Sequence, residues 1–223
     1  MKNSKKEFKE LRNSFVGRDA VIVANGPSVN GVNFSNLDKE RFFTVGVNAA
    51  GALEKHQGLL LDFLCVSDLR FFDVPEKVGL LDLLDVNRTK LVLREEIKKV
   101  YTRECNTYYV KSLGRDGFSY DISSGFFFGV STTIMAIQLA YFLGAKNIYM
   151  LGVDLRYKKD NPRFYREEKP QIEDPFLGVQ LHNLLIARES LNKKGCGLYI
   201  CSEFSFARPY IPYVGFSTIC PAL

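Results

Sequence analysis

The sequence predicts an α/β fold, in which one doubly wound, mostly parallel sheet lies between helices. Two observations carry this prediction. Short apolar runs bounded by turn residues recur along the 223-residue chain, and segments with helical patterns separate them. Such alternation is typical of a parallel sheet covered on both faces. The length suits a single domain spanning residues 1–223.

The first predicted strand ends in the most informative loop. Residues 20–23 read Ala-Val-Ile-Val and lead into Asn25-Gly26-Pro27-Ser28, where glycine and proline mark a turn. In an open parallel sheet this loop lies at the edge where ligands bind. Because Gly26 carries no side chain, backbone N–H groups there form a cradle for a phosphate or a nucleotide sugar. An ordinary strand-to-loop turn explains the same residues.

The remaining elements continue the alternation. Further strands are predicted at 42–48, 59–66, 89–93, 107–110, 148–153 and 197–201, and the main helices at 4–15, 131–143 and 181–192. Residues 112–124 have the composition of a loop. A long polar segment without periodicity follows the sixth of these seven strands and is typical of a lid over a site, which we place at about 155–180.

Polar residues follow the carboxyl ends of five predicted strands. They are Asn25, Asn48, Asp68, Asp154 and Ser202. In this architecture those strand ends line one crevice. Each residue alone fits a turn, but five on one edge predict a binding site.

Three further groups are candidates for chemistry. His182, directly after the lid, suits a general base or is a surface histidine. Tyr157 and Tyr165 in the lid offer hydroxyl donors for a departing phosphate, or belong to a solvated loop. Ser131 and Thr132 begin the helix 131–143, where free N–H groups stabilise anions, although simple capping needs only one hydroxyl. No spacing of His, Cys and Asp predicts a zinc site.

The amino-acid composition limits which binding partners and which cellular compartment we expect for the protein. The net charge of +5 suits an anionic substrate or membrane surface but is too small to predict nucleic-acid binding. The five cysteines are odd in number and lack Cys-x-x-Cys spacing, so free thiols are expected. Neither a signal peptide nor an apolar run of membrane-spanning length is evident, so we expect a cytoplasmic protein.

Three segments carry a resemblance to known proteins. They are Val-Ala-Asn-Gly-Pro-Ser-Val at 23–29, Gly46-Val47-Asn48, and Leu-Gly-Ala-Lys-Asn-Ile-Tyr-Met-Leu-Gly-Val-Asp at 143–154. Together they resemble bacterial lipooligosaccharide sialyltransferases, and equally a related set of motility-accessory and polysaccharide-locus proteins. The similarity extends, in patches, from about residue 18 to residue 206.

The resemblance implies a Rossmann-like, glycosyltransferase-A-like enzyme with a lid. It would move a sialic-acid-like or Kdo-like nonulosonic acid from a CMP-sugar to a cell-surface glycan or glycolipid, such as lipooligosaccharide or capsule, with inversion and without a metal or other cofactor. The implied roles are nucleotide-sugar contact for Asn25, Gly26, Ser28 and Asn48, carboxylate binding for Ser131 and Thr132, the base for His182, and phosphate assistance for Tyr157 and Tyr165. We add Pro27, Asp68, Asp154 and Ser202 to the predicted substrate-binding set.

The chain also departs from the sialyltransferase pattern. Gly129 stands where those enzymes carry an arginine, Asp68 replaces an asparagine, and their histidine lies a few residues before the position of His182. The identity of the sugar is therefore left open, and two other functions remain. One is an ATP- and magnesium-dependent pyrophosphokinase of the pterin type, with Asp68 and Asp154 as metal ligands. The other is a nucleotide-binding module without catalysis.

The aromatic tail at 204–216 leaves further partners open. It packs on the domain itself, on a second subunit in a homo-oligomer, or on lipid at the cytoplasmic face of the inner membrane.

Overall fold

The structure is a computed structural model that describes residues 7–103, 105–157, 162–166 and 173–221. Residues 158–161 and 167–172 of the predicted lid, and residues 4–6 of the first predicted helix, lie outside this part. The strands are β1 Asp19–Val23, β2 Phe42–Val47, β3 Phe63–Val66, β4 Lys90–Arg94, β5 Thr107–Val110, β6 Ser112–Gly114, β7 Phe126–Phe127, β8 Asn147–Leu151 and β9 Gly197–Ile200. The α-helices are α1 Leu53–Gln57, α2 Pro75–Gly79, α3 Thr132–Phe142, α4 Leu177–Asn192 and α5 Phe216–Ile219, and residues 7–10 are also helical.

Seven strands form one parallel sheet in the order β5-β4-β3-β2-β1-β8-β9. The chain adds strands outward from β1 to β5, and then crosses to the other side of β1 to form β8 and β9. Val23 at the end of β1 pairs with Gly46 of β2 and with Leu151 of β8. The strand order reverses between β1 and β8, which is the point where open α/β sheets bind ligands. The predicted doubly wound parallel sheet is confirmed.

Both faces of the sheet are buried. Along β1, Ala20 and Ile22 belong to one hydrophobic cluster, whereas Val21 and Val23 belong to another on the opposite face. Successive strand side chains point to opposite faces, so a strand covered on both sides is apolar at every position. This burial explains why β1 is a continuous apolar run in the sequence.

Helix α3 fixes the position of one wall of the site. Ten of its eleven residues are buried, so the helix is apolar in all directions. It begins after Ser131, whose Oγ accepts a hydrogen bond from the Thr133 N–H at 3.3 Å. Gly144, with φ of +97°, lets the chain turn from the helix towards β8. The predicted helix 131–143 differs from α3 by one residue at each end.

Four predicted elements are corrected by the structure. The helix predicted at 4–15 is helical, in its described part, only at residues 7–10, and turns follow. The strand predicted at 59–66 is paired only from Phe63, since the Asp62 carboxylate accepts from the Thr44 N–H at 2.8 Å in place of a ladder bond. The predicted loop 112–124 contains β6, which pairs with β7. Helix α4 begins at Leu177, four residues before its predicted start.

Candidate functional site

A cavity of about 530 Å³ lies at the carboxyl edge of the sheet, at the β1–β8 switch point. The predicted site residues that line it are Asn25, Gly26, Asn48, Asp68, Ser131, Thr132, Asp154, Tyr157 and Tyr165. They come from the ends of β1, β2, β3 and β8, from the start of α3 and from the predicted lid. Parallel strands thus bring distant parts of the chain to one place.

Two glycines allow the loops after β1 and β8 to touch. The Gly26 N–H donates to the Gly152 carbonyl at 2.8 Å. A Cβ atom on Gly26 would lie 2.6 Å from that oxygen and 2.6 Å from Cγ of Asp154, so a larger residue does not fit without movement. Gly152 has φ of +76°, a conformation that residues with side chains rarely adopt.

The predicted substrate-binding residues Pro27, Ser28 and Ser202 do not line the cavity. The Ser28 hydroxyl donates to Oδ1 of Asp154 at 2.5 Å, accepts from the Gly152 N–H at 3.2 Å and lies 2.9 Å from the Ser202 hydroxyl. The Ser28 hydroxyl thus makes all three of these contacts to other protein groups, and Ser202 is fully buried. In this structure Ser28 and Ser202 therefore support the loops, whereas Asn25 and Gly26 face the cavity.

Two asparagine oxygens at the cavity have no partner among the described residues. The Asn25 side chain is held by its Nδ2 group, which donates to the Val47 carbonyl at 3.1 Å. Its Oδ1 atom and Oδ1 of Asn48 are both buried without a hydrogen bond in the described part of the chain. Buried acceptors are costly unless they are paired. Because both atoms are shielded from solvent in this structure, a ligand with hydroxyl or amino donors would reach them only after a local shift of the surrounding loops.

Backbone strain is concentrated around the same cavity. Three lining residues other than glycine, Asn48, Val130 and Leu155, have φ values of +52°, +55° and +53°. A β-branched residue such as Val130 is an outlier in this region of conformational space. Strained residues that the fold maintains are enriched at functional sites.

The amino terminus of α3 faces the cavity, with Ser131, Thr132 and Thr133 among its lining residues. Ser131 caps the helix, and the Thr132 hydroxyl lies 2.8 Å from the hydroxyl of Ser67. The helix dipole favours an anion there, although the N–H groups of Thr133 and Ile134 already donate to the hydroxyl and the carbonyl of Ser131. The capping role and a role in anion binding are compatible.

The cavity wall carries more positive than negative side chains. The cations are Arg70, Lys77, Arg94, Arg156 and Arg163, and the carboxylates are Asp68, Asp154 and Asp174. Asp68 is already paired with Arg70 at 2.7 Å. Arg94 is likewise paired with Glu96 at 2.8 Å, so the excess of five lining cations over three carboxylates favours anions only modestly.

The described part of the predicted lid is attached to the site. The Tyr157 hydroxyl donates to Oδ2 of Asp174 at 2.9 Å, and Nε2 of Gln180 donates to the same oxygen at 2.5 Å. Burial raises the pKa of Tyr157, so its hydroxyl remains a proton donor well above neutral pH. The guanidinium of Arg163 lies over the Tyr157 ring, 5.0 Å from its centre. Asp174 and Gln180 were not predicted, although Asp-Pro before an apolar run is a helix-start signal.

Residues 162–166 lie against the loop after β1. The Phe164 N–H donates to the Asn25 carbonyl at 3.0 Å, and Arg163 and Tyr165 on either side of it line the cavity. This contact brings the predicted lid and the Asn-Gly-Pro-Ser loop into one site.

His182 lies outside the cavity, whereas a general base has to reach the substrate bound there. It is exposed on α4 and does not line the cavity, whereas Gln180 does. Two residues along an α-helix correspond to a rotation of roughly 200°, so the two side chains leave the helix on nearly opposite sides. The predicted helix start at 181 would have put His182 in the first turn, but α4 begins at Leu177.

Two features are absent from the described residues. No group of three or more His, Cys, Asp or Glu side chains there is arranged to hold a metal ion. Within the same residues, no helix has the length and apolar character needed to cross a membrane.

The fold and cavity define a Rossmann-type α/β protein with a candidate ligand site at the switch point of a parallel sheet. The chain belongs to the MptE-like family, since the model of that family, described as 6-hydroxymethylpterin diphosphokinase MptE-like, matches residues 1–160. No curated protein matches the sequence.

Several solved structures have a similar fold at low sequence identity. The sialyltransferase CstII from Campylobacter jejuni, solved with the substrate analogue cytidine-5′-monophosphate, is 16% identical, with a TM-score of 0.54 over 92% of this chain and 88% of that one. The monofunctional α-2,3-sialyltransferase Cst-I from the same organism is 11% identical, with a TM-score of 0.53 over 92% and 83%. The MAf glycosyltransferase from Magnetospirillum magneticum AMB-1 is 14% identical, with a TM-score of 0.61 over 99% of this chain and 39% of that one. The predicted resemblance to both groups is confirmed as a likeness of fold.

Proposed function

We propose that this protein is a glycosyltransferase that moves a nonulosonic acid, sialic-acid-like or Kdo-like, from a CMP-sugar to a cell-surface glycan or glycolipid. The observation that carries the proposal is that Tyr157, Tyr165 and Arg163 line the same cavity as Asn25 and the start of α3. Donors for a leaving phosphate and groups suited to a nucleotide sugar thus share one site. The fold that the chain shares with CMP-binding sialyltransferases supports this assignment.

In this proposal, each part of the CMP-sugar contacts a different group of residues in the cavity. The free oxygens of Asn25 and Asn48 accept from ribose hydroxyls or from the cytosine amino group. The amino terminus of α3, with Ser131 and Thr132, binds the sugar carboxylate. The excess of cations around the cavity suits a donor with both a phosphate and a carboxylate.

The proposed reaction inverts the anomeric carbon in one displacement. The acceptor oxygen forms the new bond while the bond from that carbon to the CMP phosphate oxygen breaks, and the acceptor proton passes to a base. Tyr157 exchanges its hydrogen bond to Asp174 for one to the departing phosphate, Tyr165 donates a second, and the Arg163 guanidinium balances the charge. These groups take the role that a metal ion has in other transferases, so we propose that the reaction needs none. The predicted base, His182, lies outside the cavity lining.

A pterin pyrophosphokinase is the second candidate, because the matching family carries that description. Magnesium is usually held by one or two carboxylates together with substrate phosphates, and Asp68 and Asp154 line the cavity. Both carboxylates are already engaged, however, Asp68 by Arg70 and Asp154 by Ser28. We therefore rank this activity below sugar transfer.

Nucleotide binding separates the two candidates. The protein is heated with CMP, CDP, UDP, GDP or ATP, each with magnesium or with EDTA, and positive ligands are followed by transfer assays with CMP-sialic acid and CMP-Kdo. A ligand at one hundred times its Kd stabilises by about 2.7 kcal/mol, which raises the Tm by about 5 °C or more. We expect a shift with CMP that EDTA does not remove. A shift only with ATP and magnesium, followed by AMP formation from ATP and a pterin alcohol, would favour the pyrophosphokinase. CMP binding without transfer would favour a binding module.

A further inference from the structure

An exposed aromatic surface lies beside the cavity. Four aromatic residues on the segment after β9, Phe204, Phe206, Tyr210 and Tyr213, are exposed to 69%, 43%, 42% and 40%. We call these four residues the aromatic patch. The four lie within ten consecutive residues, and large apolar side chains exposed close together on a protein surface usually mark an interaction site. The proposed sugar transfer uses none of the four.

Three arginines surround the aromatic patch. The guanidinium of Arg156 lies 4.5 Å from the centre of the Phe206 ring, and that of Arg208 lies 4.3 Å from the centre of the Tyr213 ring. Arg188 donates to the backbone carbonyl of Tyr210 at 2.6 Å.

These contacts leave the three guanidinium charges without a counter-charge. The polar partners of Arg188 and Arg208 are backbone carbonyls, that of Arg208 belonging to Glu203 at 2.7 Å. Within the described residues, no carboxylate forms an ion pair with Arg156, Arg188 or Arg208. The patch therefore combines exposed aromatic rings with three arginines, against the two neighbouring exposed carboxylates of Glu189 and Glu203.

We propose that the aromatic patch and its three arginines bind the surface of a bilayer that contains anionic lipids. Aromatic residues are enriched at membrane–water interfaces, and nearby arginines are attracted to anionic headgroups. The Phe204 ring, the most exposed of the four, has no polar end, so it suits the acyl boundary better than a sugar. A guanidinium lies over one face of the Phe206 ring and another over one face of the Tyr213 ring, so aromatic surface and positive charge occur side by side.

The Phe206 end of the aromatic patch lies next to the candidate site. The Phe206 N–H donates to the Asp154 carbonyl at 3.1 Å, and Arg156 contacts the Phe206 ring while it also lines the cavity. A bilayer bound to the patch would lie at the rim of the cavity, where a lipid-linked acceptor would arrive. Membrane binding itself does not depend on the proposed transferase activity, so the two proposals fail separately.

Vesicle sedimentation with the full chain tests this inference. Vesicles of phosphatidylcholine alone are compared with vesicles of phosphatidylcholine and phosphatidylglycerol in equal amounts, at low and at high salt. We expect binding to the anionic vesicles that falls severalfold at high salt, and little binding to the neutral ones. Absence of binding, or equal binding to both kinds of vesicle, would overturn the proposal.

Matched variants locate the binding surface. The double variant Phe204→Ser, Phe206→Ser should lower partitioning at least tenfold, and Arg208→Gln severalfold. The control is Val16→Ser, Val86→Ser, which removes two exposed apolar residues, 68% and 46%, that precede β1 and β4 at the opposite edge of the sheet. The Tm and the nucleotide-induced shift establish that each variant is folded. If the phenylalanine variant binds vesicles normally and instead changes a dimer into a monomer, the patch is a subunit interface and the proposal is wrong.

Discussion

Ser28 and Asp154 are joined by two hydrogen bonds although 126 positions separate them in the chain. The Ser28 N–H donates to Oδ2 at 2.9 Å, and the Ser28 hydroxyl donates to Oδ1 at 2.5 Å. One residue follows β1 and the other follows β8, so the pair holds together the two loops of the switch point. The shape of the cavity depends on this contact.

Removing the hydroxyl with Ser28→Ala should destabilise the protein. Oδ1 of Asp154 and the Gly152 N–H would each lose a partner, and unpaired buried polar groups cost about 1–3 kcal/mol. Urea denaturation measures the loss, with the exposed Ser217→Ala as a control that should change stability very little. Equal stability of the two variants would show that the hydroxyl contacts do not hold the loops.

Gly26→Ala should weaken ligand binding more than a surface glycine substitution does. The new methyl group would collide with Asp154 and with the Gly152 carbonyl, so the loops would have to separate. We expect a loss of roughly 1–3 kcal/mol in stability and a much smaller shift with CMP. The control is Gly178→Ala on the exposed first turn of α4, where nothing lies within 4 Å of the new atom. Alanine favours a helix over glycine, so this control should be neutral or stabilising.

Tyr157→Phe should reduce turnover without a matching loss of nucleotide binding. The variant removes the hydroxyl that donates to Asp174 and that we assign to the leaving phosphate, so we expect kcat to fall about 100-fold. Tyr165→Phe should lower kcat in the same direction. Tyr120→Phe is the control, because that hydroxyl contacts the Ser190 carbonyl outside the cavity. Full activity in both cavity variants would exclude the tyrosines from the chemistry.

His182→Ala decides the identity of the base. Since His182 does not line the cavity, we expect the variant to keep its CMP shift and its kcat within about threefold, because only groups in reach of the reacting atoms transfer protons efficiently. The measurement is kcat as a function of pH in both proteins. A hundredfold loss of kcat with unchanged CMP binding would restore the base role to His182.

The five cysteines should differ sharply in reactivity. Cys105 is exposed and the other four are buried. Burial raises the pKa of Cys196 and Cys201 from 9.0 to about 12, so their thiols stay protonated and unreactive at pH 8. A disulfide reagent should titrate one thiol quickly in the folded protein and five in denaturant, and Cys105→Ser should remove the fast reaction.

The raised pKa values of Cys196 and Cys201 also predict how the free energy of unfolding changes at high pH. A group whose pKa is higher in the folded state stabilises that state fully below its unfolded pKa. This stabilisation is lost as the pH rises, here between about 9 and 12. Denaturation under reducing conditions should therefore show a falling free energy of unfolding over this range. Constant stability across it would mean that these thiols are not buried.

Much of the fold could be predicted because the relevant signals are local. A run such as Ala-Val-Ile-Val before Asn25-Gly26 identifies a strand and the turn that ends it, and Ser131 and Gly144 mark both ends of α3. In a parallel sheet all strand ends of one kind lie at one edge, so Asn25, Asn48 and Asp68 could be assigned to one site without coordinates.

Tertiary structure alone decided which of these side chains face the cavity. Ser28 follows the same strand as Asn25, yet its hydroxyl bonds Asp154, a partner that only the crossover from β5 to β8 brings near. Helix α4 starts four residues earlier than predicted. In the observed helix Gln180 lines the cavity, whereas His182 lies outside it. Sequence patterns predict the helices and strands because backbone hydrogen bonding and burial recur at regular intervals along each of them. The direction of a single side chain depends on helix register and on distant partners, and these exist only after the strands have assembled.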